Sequence, residues 1–186
     1  MDAVTTLPRS RPLTRADLDA IPDDGHRYEL IDGVLVVSPA PSWLHQRVVT
    51  RLWRLLDSAC PVDLEVLVAP FDVAIADNTV LQPDVLVARQ RELTQRDLPA
   101  APVLAVEVLS PSTRRVDLTL KRSRYEAAGC PSYWVVDPLE PALTAWDLEE
   151  GAYVEVAHVW RENTWRAERP YLVDVCPHDL VVDRHG

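Results

Sequence analysis

The sequence has few cysteines, almost no lysine and no long apolar run. Its three cysteines, Cys60, Cys130 and Cys176, lie far apart and form no C-x-x-C pair. A zinc site or a disulfide framework is therefore not expected, and we interpret the cysteines as reduced thiols. No apolar run approaches the roughly 20 residues that span a bilayer, and the N-terminal segment lacks a signal-peptide pattern. These absences favour a cytoplasmic protein without a membrane segment.

The charge is negative overall but unevenly distributed. The net charge is -10, which weighs against a protein that coats duplex DNA, because phosphate neutralisation supplies most of that affinity. Residues 114–124 contain five basic residues and one acidic residue, whereas residues 126–160 contain seven acidic residues and no lysine or arginine. The basic segment could therefore contact phosphate. Each segment by itself is explained equally well as a charged face exposed to solvent.

Lysine is nearly absent although arginine is plentiful. Of the 19 basic residues only one is a lysine, Lys121. Arginine and lysine differ in shape and in how readily they lose a proton. The single lysine is therefore a candidate functional residue.

The order of hydrophobic and turn patterns predicts a single α/β domain. Residues 1–27 are expected to form an arm with a short helix capped by Thr14, and residues 28–186 a single domain with a mixed β-sheet flanked by helices. The patterns predict, in order, a hairpin around Asp32-Gly33, a helix over 43–58, strands near 64–69, 71–75 and 84–88, a polar loop over 89–102, a strand over 103–109, a helix over 116–128, a strand over 132–137 and a C-terminal hairpin around Glu149-Glu150-Gly151.

Two carboxylates occur in apolar strands that are expected to be neighbours. Glu107 lies inside the run VLAVEVL, where an unpaired buried charge would be costly. Asp84 opens the apolar strand that follows Gln82 and Pro83. If these strands pair, the two carboxylates repel each other unless a cation lies between them, and magnesium prefers such oxygen ligands. A buried salt bridge of Glu107 is the alternative interpretation.

Lys121 interrupts an otherwise core-facing stripe of the predicted helix. Leu118, Lys121, Tyr125 and Ala128 recur at helical spacing, so the ammonium is expected to point inward. There it could orient an attacking water beside a metal. The alternative is an exposed pair of Lys121 with Asp117 at i,i+4.

Glu29 and His45 are further candidates. Glu29 precedes the Asp32-Gly33 turn, and it is equally consistent with a metal or water ligand and with the exposed side of a hairpin. His45 lies early in the helix over 43–58, where it could contact substrate or tune the site. A lone helical histidine is more often structural.

Six motifs occur in one order along the chain: YELIDG, SPAPSWLHQ, QPD, VEVLSPST, K-x-x-x-Y and AGCPSYWVVDP. This ordered set resembles the Uma-two family of bacterial restriction endonucleases, in the PD-(D/E)XK nuclease superfamily, over roughly residues 14–150. The resemblance implies a restriction-endonuclease-like fold and a nuclease that uses Mg²⁺ or Mn²⁺ on DNA. It makes Asp84 the motif aspartate, Glu107 the first residue of the E-x-K motif and Glu29 the N-terminal acidic residue. Gln82 and Tyr125, with His45, are auxiliary candidates.

The lysine departs from the superfamily pattern. It would fall two residues after Glu107, where this sequence has Leu109, and the family resemblance places it at Lys121 on the following helix. The leading prediction is a metal-dependent DNA endonuclease with Asp84, Glu107 and Lys121 as catalytic residues. The alternatives are a non-catalytic binding or regulatory relative, a hydrolase of a small phosphorylated substrate, and a structural scaffold. A sheet edge or the C-terminal hairpin could support a homodimer, of which the sequence gives no sign.

Overall fold

The computed structural model describes residues 10–111 and 113–182. Residues 1–9 of the predicted arm, Ser112 and residues 183–186 of the predicted domain lie outside these ranges. None of the helices described is long and apolar enough to cross a membrane. The helices are α1 (Arg15–Asp19), α2 (Trp43–Ser58), α3 (Arg122–Ala127) and α4 (Pro177–Val181), with a 3-10 turn at Gln90–Glu92 and a π-helical turn at Val116–Lys121.

The described strands form three sheets. They are β1 (Arg27–Ile31), β2 (Val34–Ser38), β3 (Leu64–Val68), β4 (Asp72–Ala76), β5 (Thr79–Leu81), β6 (Val85–Arg89), β7 (Asp97–Leu98), β8 (Leu104–Val108), β9 (Ser132–Asp137), β10 (Ala142–Glu149), β11 (Ala152–Trp160), β12 (Trp165–Ala167) and β13 (Val173–Val175). A six-stranded sheet has the order β11-β10-β9-β8-β6-β3, a five-stranded sheet has the order β2-β1-β5-β4-β7, and β12 pairs with β13.

Both larger sheets are mixed. In the six-stranded sheet β8 and β9 are parallel while β6 and β8 are antiparallel. The mixed α/β class with flanking helices is therefore confirmed, but the predicted strands are divided between sheets. Pro83 lies at the division, between β5 of one sheet and β6 of the other, where it cannot donate a ladder hydrogen bond.

The six-stranded sheet is covered on both faces. On one face α2 packs through Leu52 and Leu56 against Val106 of β8. On the other face Ala105 of β8 packs with Tyr125 of α3 and with residues of the five-stranded sheet. Burial on both faces explains why the β8 sequence is an almost continuous apolar run.

Several predicted elements have the expected bounds and others do not. Helix α2 begins after Ser42, whose hydroxyl accepts a hydrogen bond from the His45 N–H, and β9 has the predicted span. The helix predicted over 116–128 begins as a wider π-helical turn before α3. Strands β5 and β7 and helix α4 are too short to give a periodic signal.

Candidate active site

Side-chain alternation along β6 and β8 brings Asp84 and Glu107 to the same face of the sheet. Glu107 alternates with the buried Val106 and Val108 and shares the face of Ala105. Asp84, just before β6, has the same parity as Leu86, which also packs on that face. Because β6 and β8 are antiparallel neighbours, the two carboxylates lie on adjacent strands beside α3.

Lys121 lies at the centre of a buried carboxylate cluster. Its Nζ is 2.9 Å from Glu29 Oε1, 3.1 Å from Glu107 Oε1 and 3.6 Å from Asp117 Oδ1. The side chain is 4% exposed. The inward direction predicted for Lys121 is therefore what the structure shows, and Asp117 is the most distant of its three partners.

Asp117, in the π-helical turn, also belongs to the cluster. Asp117 and Lys121 are both buried in this turn, whereas the sequence analysis considered Asp117 only as an exposed partner. Single π-helical turns are frequent at functional sites. Asp117, Lys121 and Tyr125 recur at four-residue spacing on the buried face, and Leu118 of the predicted stripe is half-buried against the same core.

Asp84 is held by three donors. Its Oδ2 accepts a hydrogen bond from the Val108 N–H at 2.8 Å and lies 3.1 Å from His45 Nε2. Its Oδ1 accepts a hydrogen bond from Arg27 Nη1 at 3.0 Å. These contacts fix the carboxylate orientation, so His45 is a neighbour of the site as the sequence analysis proposed.

Hydrogen bonds of Glu29 and Gln82 link β1, the end of β5 and β4 within the five-stranded sheet. Glu29 Oε1 accepts a hydrogen bond from the backbone N–H of Gln82 at 2.8 Å, and the Gln82 side-chain amide donates to Asp72 Oδ1 at 2.8 Å. Glu29 is 1% exposed, so the alternative of an exposed hairpin residue is wrong. Whether Glu29 or Gln82 acts on a ligand stays a prediction.

The cluster contains more negative than positive charge. Four carboxylates are buried, those of Glu29, Asp84, Glu107 and Asp117. Against them stand the permanent cations Lys121 and Arg27, so the cluster lacks two positive charges when all four acids are ionised. A divalent cation would supply both charges, and its preferred ligands are carboxylate oxygens.

Burial and neighbouring charge move the pKa values of the two motif carboxyls in opposite directions. Burial raises the pKa of Glu107 well above its usual range despite the opposing charge of Lys121. Burial would also raise the pKa of Asp84, but the hydrogen bond with His45 and the charge of Arg27 lower it to about 2. The environment thus favours the ionised form of Asp84, whereas burial opposes ionisation of Glu107 unless more positive charge is nearby.

A cavity of about 880 Å³ gives access to this cluster, and we call it the central cavity. Asp84, Glu107, Asp117 and Lys121 all contribute to its wall. A second cavity of about 490 Å³, the side cavity, shares Arg27 and several other wall residues with it. Glu29 is not among the wall residues of either cavity, so its contacts are with the protein interior.

The residues fit a cation by charge, although they do not form a complete metal site by themselves. Within the described ranges, no three or more His, Cys, Asp or Glu side chains are grouped closely enough to hold a metal ion. The Glu29 carboxylate contacts Lys121. It therefore does not form a simple three-carboxylate metal site with Asp84 and Glu107. Asp84 and Glu107 remain the two carboxylates that face the central cavity, and substrate and water oxygens would have to complete the coordination.

Arg27 belongs to the site although it was not among the residues predicted from the sequence. Its side chain shares a face of β1 with Glu29, two residues later, because side chains alternate along a strand. The two-residue spacing from Glu29 could therefore have indicated that Arg27 lies at the site. Tyr125, by contrast, is buried below Lys121 with its hydroxyl lacking a hydrogen-bond partner.

Comparison with known proteins agrees with this fold and with the motif order. A crystal structure described as "a putative nuclease belonging to DUF820 from Anabaena variabilis" is similar, with a TM-score of 0.65, 17% sequence identity and coverage of 77% of this chain and 84% of that chain. At this identity the similarity shows the fold. No protein of curated function matches the chain. The model of the Uma2 family, described as "Putative restriction endonuclease", matches residues 15–174. Because that match spans most of the sequence, this chain belongs to the Uma2 family.

Proposed function

We propose that this protein is a metal-dependent nuclease that hydrolyses phosphodiester bonds of DNA. The observation that carries the proposal is the position of Asp84 and Glu107, which face the central cavity from adjacent strands with Lys121 against Glu107. The family and the fold of a related chain support a nuclease. Because DNA is the proposed substrate, we place the activity in the cytoplasm.

Asp84 and Glu107 would hold Mg²⁺ or Mn²⁺. When bound, such an ion lowers the pKa of a coordinated water and neutralises charge on the reacting phosphate. His45 and the Val108 N–H keep the Asp84 carboxylate oriented toward the cavity. A contact of Glu29 with the ion would need its Oε2, since Oε1 is already shared by Lys121 and the Gln82 N–H.

Lys121 would position the attacking water and stabilise developing negative charge. Its ammonium keeps its charge in the native protein, because the neighbouring carboxylates raise its pKa even though burial alone would lower it. Glu29 and Asp117 also contact the ammonium, at 2.9 and 3.6 Å. An ammonium fixed in this way loses little orientational freedom when the transition state forms.

Cleavage of supercoiled plasmid DNA in the presence of Mn²⁺ tests the proposal. The wild type should nick the plasmid, and EDTA should abolish nicking. Asp84→Asn and Glu107→Gln should each lower the rate by about 100-fold or more. The control is Glu155→Gln, which changes an exposed carboxylate on β11 and should leave the rate unchanged. Nicking that survives in both site variants would refute the assignment.

The acidic surface favours a second candidate, hydrolysis of a small phosphorylated substrate. A net charge of -10 opposes duplex DNA more strongly than a small ligand. Bis(p-nitrophenyl) phosphate and p-nitrophenyl phosphate separate diester from monoester chemistry. Turnover of the monoester without plasmid nicking would favour this candidate, and no turnover of either compound or of DNA would favour the non-catalytic alternative.

A further inference from the structure

Arg27 lies where the two cavities meet. Its guanidinium contributes to the wall of both the central cavity and the side cavity, and its side chain is 24% exposed. A ligand in either cavity can therefore reach it. Apart from Lys121, it is the only permanent cation among the described residues that form these two walls.

Most of the hydrogen-bonding capacity of Arg27 is unused. A guanidinium has five N–H donors, yet across residues 10–111 and 113–182 Arg27 donates a single hydrogen bond, from Nη1 to Asp84 Oδ1. Nε is shielded from solvent and has no partner. Nη2 is 3.9 Å from Glu29 Oε1, too far for a hydrogen bond. Holding Asp84 alone does not account for a largely buried guanidinium with so few partners.

The Asp84 carboxylate has spare capacity at the oxygen that Arg27 contacts. A carboxylate offers about two acceptor positions on each oxygen. The Val108 N–H and His45 use both positions of Oδ2, whereas Oδ1 accepts only from Arg27. A divalent cation that binds Asp84 would therefore approach Oδ1, where it meets the like charge of Arg27.

We propose that Arg27 is a phosphate-binding residue that exchanges partners. Without a metal ion it neutralises Asp84, and with a metal ion at Asp84 it turns to a phosphate of the oligonucleotide. The planar fork of a guanidinium matches two oxygens of a phosphate. The inference rests on the proposed function, because the phosphate belongs to the nucleic acid substrate. By linkage, metal and oligonucleotide should each raise the affinity of the protein for the other.

Two equilibrium measurements test the exchange without turnover. Calorimetric titration gives the affinity of the free protein for Mn²⁺. Fluorescence anisotropy gives the affinity for a fluorescein-labelled duplex oligonucleotide in Ca²⁺, with a gel to show that the oligonucleotide stays intact. The variants are Arg27→Met and Arg27→Lys. The control is Arg11→Met, because Arg11 is also a hydrogen-bonded arginine but pairs with Asp17 away from both cavities.

Opposite changes in the two affinities are the expected result. Arg27→Met should bind Mn²⁺ severalfold more tightly, because a competing cation is gone, and bind the oligonucleotide at least about tenfold more weakly, because a bidentate contact is lost. Arg27→Lys should keep wild-type Mn²⁺ affinity and bind the oligonucleotide more weakly than the wild type. Arg11→Met should change neither affinity.

Weaker Mn²⁺ binding by Arg27→Met would overturn the inference, since Arg27 would then merely support Asp84. Unchanged oligonucleotide affinity in Arg27→Met, or no oligonucleotide binding by the wild type, would overturn it as well. If Arg27→Met does not fold, Arg27→Lys decides through its oligonucleotide affinity alone. Plasmid nicking is a separate measurement, so failure of the proposed nuclease activity is distinguishable from failure of the exchange.

Discussion

Lys121 donates a hydrogen bond to Glu107 at 3.1 Å although the two residues are 14 positions apart and lie on different elements. Glu107 is the second-last residue of β8 and Lys121 the last residue of the π-helical turn. A lysine two residues after the glutamate would have followed the end of the same strand directly. The ammonium therefore reaches the glutamate through helix packing, which makes its position depend on the tertiary structure.

Lys121→Met should destabilise the protein by about 3 kcal/mol at neutral pH, because it leaves buried carboxylates without their cation. Urea denaturation followed by circular dichroism measures the change. The double variant Lys121→Met with Glu107→Gln should lose less stability than the sum of the losses in the two single variants, since the residues interact directly. The exposed ion pair of Arg124 with Asp32 provides the control. Arg124→Met should lower the stability by less than about 1 kcal/mol. Strict additivity would contradict the contact.

His45→Gln should weaken Mn²⁺ binding about tenfold, since His45 orients a carboxylate that we propose as a ligand. The contact at stake is that of Nε2 with Asp84 Oδ2 at 3.1 Å. Calorimetric titration measures the affinity. His158→Gln is the matched control because His158 contacts Thr144 on the β10–β11 hairpin, and it should bind Mn²⁺ like the wild type. Equal affinities for both variants would rule out an orienting role of His45.

Tyr125→Phe should leave the stability unchanged or raise it by up to about 1 kcal/mol, because the Tyr125 hydroxyl is buried without a hydrogen-bond partner. Tyr133→Phe is the comparison, since the Tyr133 hydroxyl donates to the Asp117 carbonyl at 2.9 Å. Its removal should cost about 1 kcal/mol. Thermal unfolding of both variants measures the two changes in stability. A clear loss of stability in Tyr125→Phe would mean that a bound water satisfies the hydroxyl.

Asp97→Asn should lower the free energy of unfolding by about 1 kcal/mol at neutral pH and by progressively less in acid. The hydrogen bond from Thr94 lowers the pKa of Asp97, burial opposes it, and Arg15 lowers the pKa further. Because the folded-state pKa lies below the unfolded one, the ionised carboxyl stabilises the fold above about pH 3.9 and loses that effect as the pH falls through the lowered value. Urea denaturation of wild type and variant at several pH values measures the difference. A difference that is independent of pH would contradict the ion pair.

Two thiols at most should react with Ellman's reagent in the native protein. Cys130 is fully buried, burial raises its pKa to about 12, and its thiol donates to the Ser132 carbonyl at 3.2 Å. Cys60 and Cys176 are partly exposed. Denaturation should release the third thiol. Rapid reaction of Cys130 in the native state would show that the strand β9 region opens readily.

The sequence determined most elements and the identity of the motif residues. Helix α2 could be predicted with its bounds because Ser42 caps it and its apolar residues recur at helical spacing. Glu107 could be selected because a charge inside an apolar strand requires compensation. The motif order predicted the family, which the match over residues 15–174 confirms. These signals are local, and they do not depend on which strands pair.

The tertiary structure decided which charges meet. Residues 27, 29, 84, 107, 117 and 121 come from separate parts of the chain, and their convergence depends on sheet order and on the packing of a helix. Asp117 shares a helix face with Lys121 because the two residues are four positions apart, but only the tertiary packing shows that this face is buried. Arg27 meets Asp84 only because β1 of the five-stranded sheet lies beside the start of β6. Buried charges are paired by long-range packing, so their partners are fixed by the fold and not by their spacing in the sequence.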